Sequence, residues 1–173
     1  MRLQSLALVA LSVVVAACAP PPGVRYDASR DVSVFESTAI NIGQPIQGTT
    51  LGASRIALTA SAQCAGEGCV PEDYVVALSK DGGNAAVADY DYITFETEDG
   101  TVSFGDEFDA DGAAQFFSTT QGEFVRLSVP ARIYASFAES PTLTIRLGAS
   151  AYQIAYQRRA PLRRLLPSPT EDG

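Results

Sequence analysis

The stretch YVVALSKDGGN, residues 74 to 84, runs from β-branched, aromatic and apolar residues straight into a cluster of turn formers. Glycine and asparagine accept positive φ at little cost, so the segment reads as a strand, Tyr74 to Ser79, followed by a tight turn over Lys80-Asp81-Gly82-Gly83-Asn84. The same pattern extends in both directions. VSVFES (32 to 37) and RIALTA (55 to 60) come before it, and YITFETE (92 to 98) follows, ending at the turn signal Glu98-Asp99-Gly100. AQFFST (114 to 119), EFVRLSV (123 to 129), TLTIRL (142 to 147) and AYQIAY (151 to 156) complete the series, the last two joined through Gly148-Ala149-Ser150. Short strands at this spacing predict a mainly β domain: an antiparallel β-sandwich or curved sheet.

Two segments depart from the β pattern in the C-terminal third. In VPARIYASFAES, Pro130 suits a first helical position, and Ile133, Tyr134 and Phe137 form an apolar stripe at helical spacing. In APLRRLLPS, Leu162, Leu165 and Leu166 make a second stripe after Pro161. Both predict short helices packed near the sheet, with a frayed tail from Ser168 to Gly173.

Composition narrows the function classes. The chain of 173 residues carries a formal net charge of −8, and Lys80 is its one lysine. Nucleic-acid binding needs a basic stripe to displace counterions from phosphates, so no nucleic-acid partner is expected. The apolar content is enough for one domain to bury a core.

The N-terminus, MRLQSLALVALSVVVAAC, places Arg2 before a mostly apolar run from Leu3 to Val15, and small residues lead into Cys18. The run is shorter than the roughly 20 residues a spanning helix needs. The order Val15-Ala16-Ala17-Cys18 resembles the lipobox of bacterial lipoproteins. That resemblance covers the leader alone; it implies cleavage before Cys18, lipid on that cysteine and attachment of the protein to a cell-envelope membrane. With Ala19 and not an aspartate after the cysteine, it implies the outer membrane where the source has two. Ala19-Pro20-Pro21-Pro22-Gly23 then suits a stiff polyproline spacer. The expected organisation is a cleaved leader over 1–17, a lipid-anchored proline-rich linker over 18–31, one β-rich domain over 32–167 and a disordered tail over 168–173.

With Cys18 assigned to lipid, Cys64 and Cys69 remain, close enough in QCAGEGCVPED to close a small ring in an oxidising compartment. They are expected to form a structural disulfide. A redox motif has two intervening residues where this has four, and zinc lacks its usual partners because the chain has no histidine.

Three features could carry chemistry. In GDEFDADG (105 to 112), Glu107, Asp109 and Asp111 fall where a calcium loop places oxygen ligands, with Gly112 at the turn. Ser118 stands where that loop needs its bidentate glutamate, so an acidic turn is the plain alternative to a weak calcium site. The carboxylates Asp89, Asp91, Glu96, Glu98 and Asp99 could include a glycosidase-like pair, or form a solvated face. Arg158, Arg159, Arg163 and Arg164 make a basic cluster suited to an anionic surface, or to the wet side of a terminal helix. No serine nucleophile can be assembled, since histidine is absent and Ser79 and Lys80 are adjacent where a serine–lysine motif separates them by two residues. The sequence thus points to an envelope protein with a binding or structural domain for a protein or glycan partner, and no cofactor beyond the lipid. An envelope hydrolase using paired carboxylates and a calcium-dependent adhesion or assembly module are the alternatives.

Overall fold

The computed structural model describes residues 22–43, 45–47, 55–81, 92–105, 114–119 and 122–167. It is a mainly β structure of two antiparallel sheets with two short C-terminal helices. The larger sheet has the order β1 (Gly23–Asp27), β2 (Val32–Glu36), β4 (Arg55–Ala65), β5 (Asp73–Asp81), β9 (Gly122–Pro130) and β8 (Ala114–Thr119), with β3 (Ile40–Asn41) also pairing β4. The smaller sheet has the order β11 (Ser150–Gln153), β10 (Thr144–Leu147), β6 (Tyr92–Thr97) and β7 (Gly100–Gly105). Helix α1 spans Ala131–Glu139; a 3-10 turn at Tyr156–Arg159 leads into α2, Ala160–Arg163.

Period-two alternation sets the register. Along β5, Tyr74, Val76 and Leu78 point into the core, while Val75 between them is exposed. Val76 lies opposite Ala60 on β4 and Leu127 on β9; Leu78 lies opposite Leu58 and Val125, so buried residues meet in rows across three strands. A slip of one residue would turn every row outward, which is why the pairing is strongly specified. The other sheet contributes Ile93, Phe95, Phe104, Ile145, Leu147 and Tyr152 to the same apolar cluster. Helix α1 inserts Phe137, stacked on Phe95 at a centroid distance of 4.4 Å.

Turn chemistry closes the β10–β11 hairpin as the sequence suggests. Leu147 pairs with Ser150, leaving Gly148-Ala149 as the two-residue loop, with Gly148 at φ 54. A primed hairpin turn asks for that geometry at its first central position.

Several expectations need correction. The linker does not extend to residue 31: Gly23–Asp27 pairs with Val32–Glu36 as the edge of the larger sheet, because Val24-Arg25-Tyr26 already alternates. Lys80 and Asp81 belong to β5 and not to the expected turn, whose remaining residues 82–84 lie outside the described residues; Lys80 continues the inward register of Tyr74, Val76 and Leu78 and is buried. Pro130 sits at the N-cap of α1, one residue before the helix, where it ends β9. The strand expected over 151 to 156 stops at Gln153, and Tyr156 opens the 3-10 turn. The leader over 1–17, Cys18 and the tail over 168–173 lie outside the described residues.

Candidate functional site

The β6–β7 hairpin and α1 face one another across an open groove of about 460 Å³, lined by Thr97, Asp99, Arg132 and Ser136 among others. The hairpin is tight because Thr97 pairs directly with Gly100, and Gly100 takes φ 142, a backbone that side chains disfavour. That turn brings Asp99 over the helix. Ser136 Oγ donates to Asp99 Oδ2 at 2.7 Å and lies 3.2 Å from Thr97 Oγ1. The Asp99 and Glu98 amides donate to Thr97 Oγ1 and Ser140 Oγ, at 3.3 and 3.2 Å. Arg132 lies one helical turn before Ser136 and is exposed, so a guanidinium and a carboxylate stand at the same opening.

The apolar lining comes from Val102, Ile133 and Phe137. Hydroxyls, one carboxylate and one guanidinium over an apolar floor offer donors and acceptors to a ligand rich in hydroxyl or amide groups. Ser136 is hydrogen-bonded to Asp99 with no histidine anywhere in the chain to draw off its proton. The pair is therefore arranged for hydrogen bonding more than for serine nucleophilicity.

The four arginines of the C-terminal cluster separate into different roles. Arg159 is completely buried, and its guanidinium donates to the carbonyls of Phe137, Ser140 and Pro141. Burial, with Arg163 nearby, pushes its pKa below the ordinary arginine value. Arg159 thus does not belong to an anionic-surface patch; it satisfies carbonyls at the C-terminal end of α1, a helix with no basic residue in its own last turn. Arg163 joins it by donating to Ala138 O at 3.4 Å, and it lies 3.8 Å over the Tyr156 ring. Arg158 and Arg164 are exposed, Arg158 donating to Asn41 O.

Two tyrosines tie the same segment to the sandwich. Tyr74 and Tyr134 stack at 3.8 Å, and their hydroxyls donate to Leu165 O and Leu162 O, each at 3.0 Å. Burial raises both phenol pKa values, and for Tyr134 the proximity of Tyr74 adds to it.

Cys64 and Cys69 form a disulfide with a Cα separation of 6.0 Å. The intervening loop uses Gly66 and Gly68 at φ 87 and 71 and ties back to the β1–β2 hairpin through Gly66 N to Asp31 O, at 2.9 Å. Among the carboxylates, Glu96 pairs with Arg146 across β6 and β10, and Asp99 belongs to the groove. Asp89 and Asp91, and the calcium candidates Glu107, Asp109 and Asp111, lie outside the described residues. Among the described residues no group of three or more histidine, cysteine or acidic side chains could hold a metal. No helix among them is long and apolar enough to cross a membrane.

Thr97, Arg132 and Ser136 carry no sequence signal as a set. Thr97 and Ser136 are 39 residues apart, on a strand and a helix, and only the packing of α1 against β6 joins them. No protein-family model, curated protein or solved structure matches the chain.

Proposed function

We propose that the protein is a lipid-anchored binding protein of a bacterial cell envelope, whose β-sandwich offers the groove between α1 and the β6–β7 turn to a hydroxyl-rich, glycan-like chain. The observation that carries the binding role is the set Thr97, Asp99, Arg132 and Ser136 along one open groove. An open groove suits an extended chain better than a small enclosed substrate, and its polar groups are those that pair with hydroxyls and amides. The anchor rests on the lipobox-like Val15 to Cys18 and the charged, apolar leader before it. A diacylglyceryl cysteine meets the two-chain requirement for stable attachment without help from an acidic domain.

The binding role is tested by titrating the isotope-labelled mature chain, made soluble by Cys18→Ser, with soluble peptidoglycan fragments. Shifts should concentrate at Thr97, Asp99, Arg132 and Ser136 and disappear in Asp99→Ala and Arg132→Ala. Shifts elsewhere, or none, would refute the groove. For the anchor, the full-length protein should fractionate with membranes, and intact mass should give Cys18 as the first residue plus lipid; an unmodified N-terminus at another residue refutes it.

A further inference from the structure

We infer that the domain docks on the membrane by one end, with Arg158 and Arg164 facing anionic lipid headgroups; the inference rests on the lipid anchor proposed above. Its basis is where the chain enters the fold. Pro22 and Gly23, at the start of β1, share a small depression with Pro161, Arg164 and Leu165, so the anchored end of the domain abuts its C-terminal arginines. Cys18 precedes Pro22 by four Cα steps. Whatever conformation those residues take, the tether reaches at most about 14 Å. A lipid on Cys18 therefore holds this end of the domain near the bilayer and leaves the remainder free to pivot only about that point.

Charge gives the pivot a preferred orientation. The chain as a whole is acidic, with a net charge of −8, yet the described residues at the anchored end include the exposed Arg158 and Arg164. Arg164 stands beside Glu36, Ser37 and Thr38, and Arg158 reaches Asn41 and Gly43, so the two exposed arginines flank one segment. Among the described residues lining that depression the one acid, Glu36, is already paired with Arg25 at 2.7 Å. Tyr156, 40% exposed beneath Arg163, adds an aromatic ring of the kind that sits at headgroup level. Arg159 contributes nothing, since its guanidinium is turned inward on carbonyls. Attraction between arginine and an anionic surface decays over a Debye length of about 8 Å at physiological salt, so only residues held close by a short tether gain from it.

The test uses the lipidated protein extracted from membranes and reconstituted in phosphatidylcholine vesicles with and without phosphatidylglycerol. Hydrogen exchange is read at residues 37–43 and 156–164. On phosphatidylglycerol vesicles these amides should gain protection that high salt removes. Arg158→Gln and Arg164→Gln should each cut the docked-to-undocked ratio about fivefold. The double lysine variant, Arg158→Lys with Arg164→Lys, should retain docking, which separates charge from the bond Arg158 makes to Asn41. Lipidated protein whose exchange is the same on both vesicles overturns the docking and leaves the anchor standing. Protein that lacks lipid on Cys18 and fails to float with vesicles overturns both.

Discussion

Replacing Arg159 by methionine should destabilise the domain by about 3 kcal/mol, since a buried carbonyl left without a donor costs about 1–3 kcal/mol. The side chain serves the carbonyls of Phe137, Ser140 and Pro141, and the contact at Pro141 is only part-buried, so water can replace it there. Two carbonyls therefore carry most of the loss. Methionine fills much of the same volume and removes two existing costs, the desolvation of the guanidinium and the unpartnered Nε, so the net effect lies below the simple sum. Against a total stability of roughly 5–15 kcal/mol, about 3 kcal/mol is a large fraction. In a domain of this size it corresponds to a fall in Tm of roughly 10 °C. Urea unfolding of the Cys18→Ser mature chain, followed by far-ultraviolet circular dichroism, measures it. Arg158→Met is the control: its one carbonyl bond is exposed, and the change should cost under about 1 kcal/mol. An Arg159→Met protein within about 0.5 kcal/mol of the parent would refute the assignment of this arginine as the cap of α1.

Replacing both Cys64 and Cys69 by serine should lower stability by about 2 kcal/mol, because the ring is short and restrains little of the unfolded chain; two alkylatable thiols in the oxidised, folded protein would refute the pairing. The buried phenols of Tyr74 and Tyr134 hold their protons more tightly in the folded state than in the unfolded chain. Their contribution is complete below the unfolded pKa near 10 and is lost as pH rises toward the folded values, so urea midpoints should hold through neutral pH and fall above about pH 10. Tyr134→Phe should flatten that alkaline fall while costing about 1 kcal/mol at neutral pH for the lost bond to Leu162; an unchanged alkaline slope would refute the role of the phenol.

The strands were legible where alternation is strong, as from Tyr74 to Leu78, where bulky apolar residues fill every second position. They were obscured where small or polar residues carry the same alternation. β4 runs on through Ser61-Ala62-Gln63-Cys64-Ala65, with Ala62 buried and Gln63 exposed, but neither side chain is large enough to announce a face. β7 is hidden because Thr101-Val102-Ser103 reads as loop until its pairing with β6 buries Phe104. β1 was masked by the prolines before it, and β3 is too short to show a period. The helices were legible from Tyr134, Phe137 and Leu162, each of which is buried. The groove was not, because its members come from separate elements and each is an ordinary polar residue where it stands. Arg159 is hidden for a related reason: a charged side chain on a terminal segment reads as solvent-facing until the helix end it serves is known.

The bonds from Tyr74 and Tyr134 to the last turns of the chain also bear on the order of folding. Tyr74 and Leu165 are 91 residues apart, and Tyr134 must wait for Leu162. A nascent chain synthesised from its N-terminus therefore reaches the positions of most strands before it possesses the groups that seal the stacked tyrosines and the end of α1. Until residues 159 to 165 emerge, those hydroxyls and carbonyls must be satisfied by solvent, and the cluster around them stays wet. A piece of the chain that ends before residue 159 therefore lacks the groups that seal this part of the core.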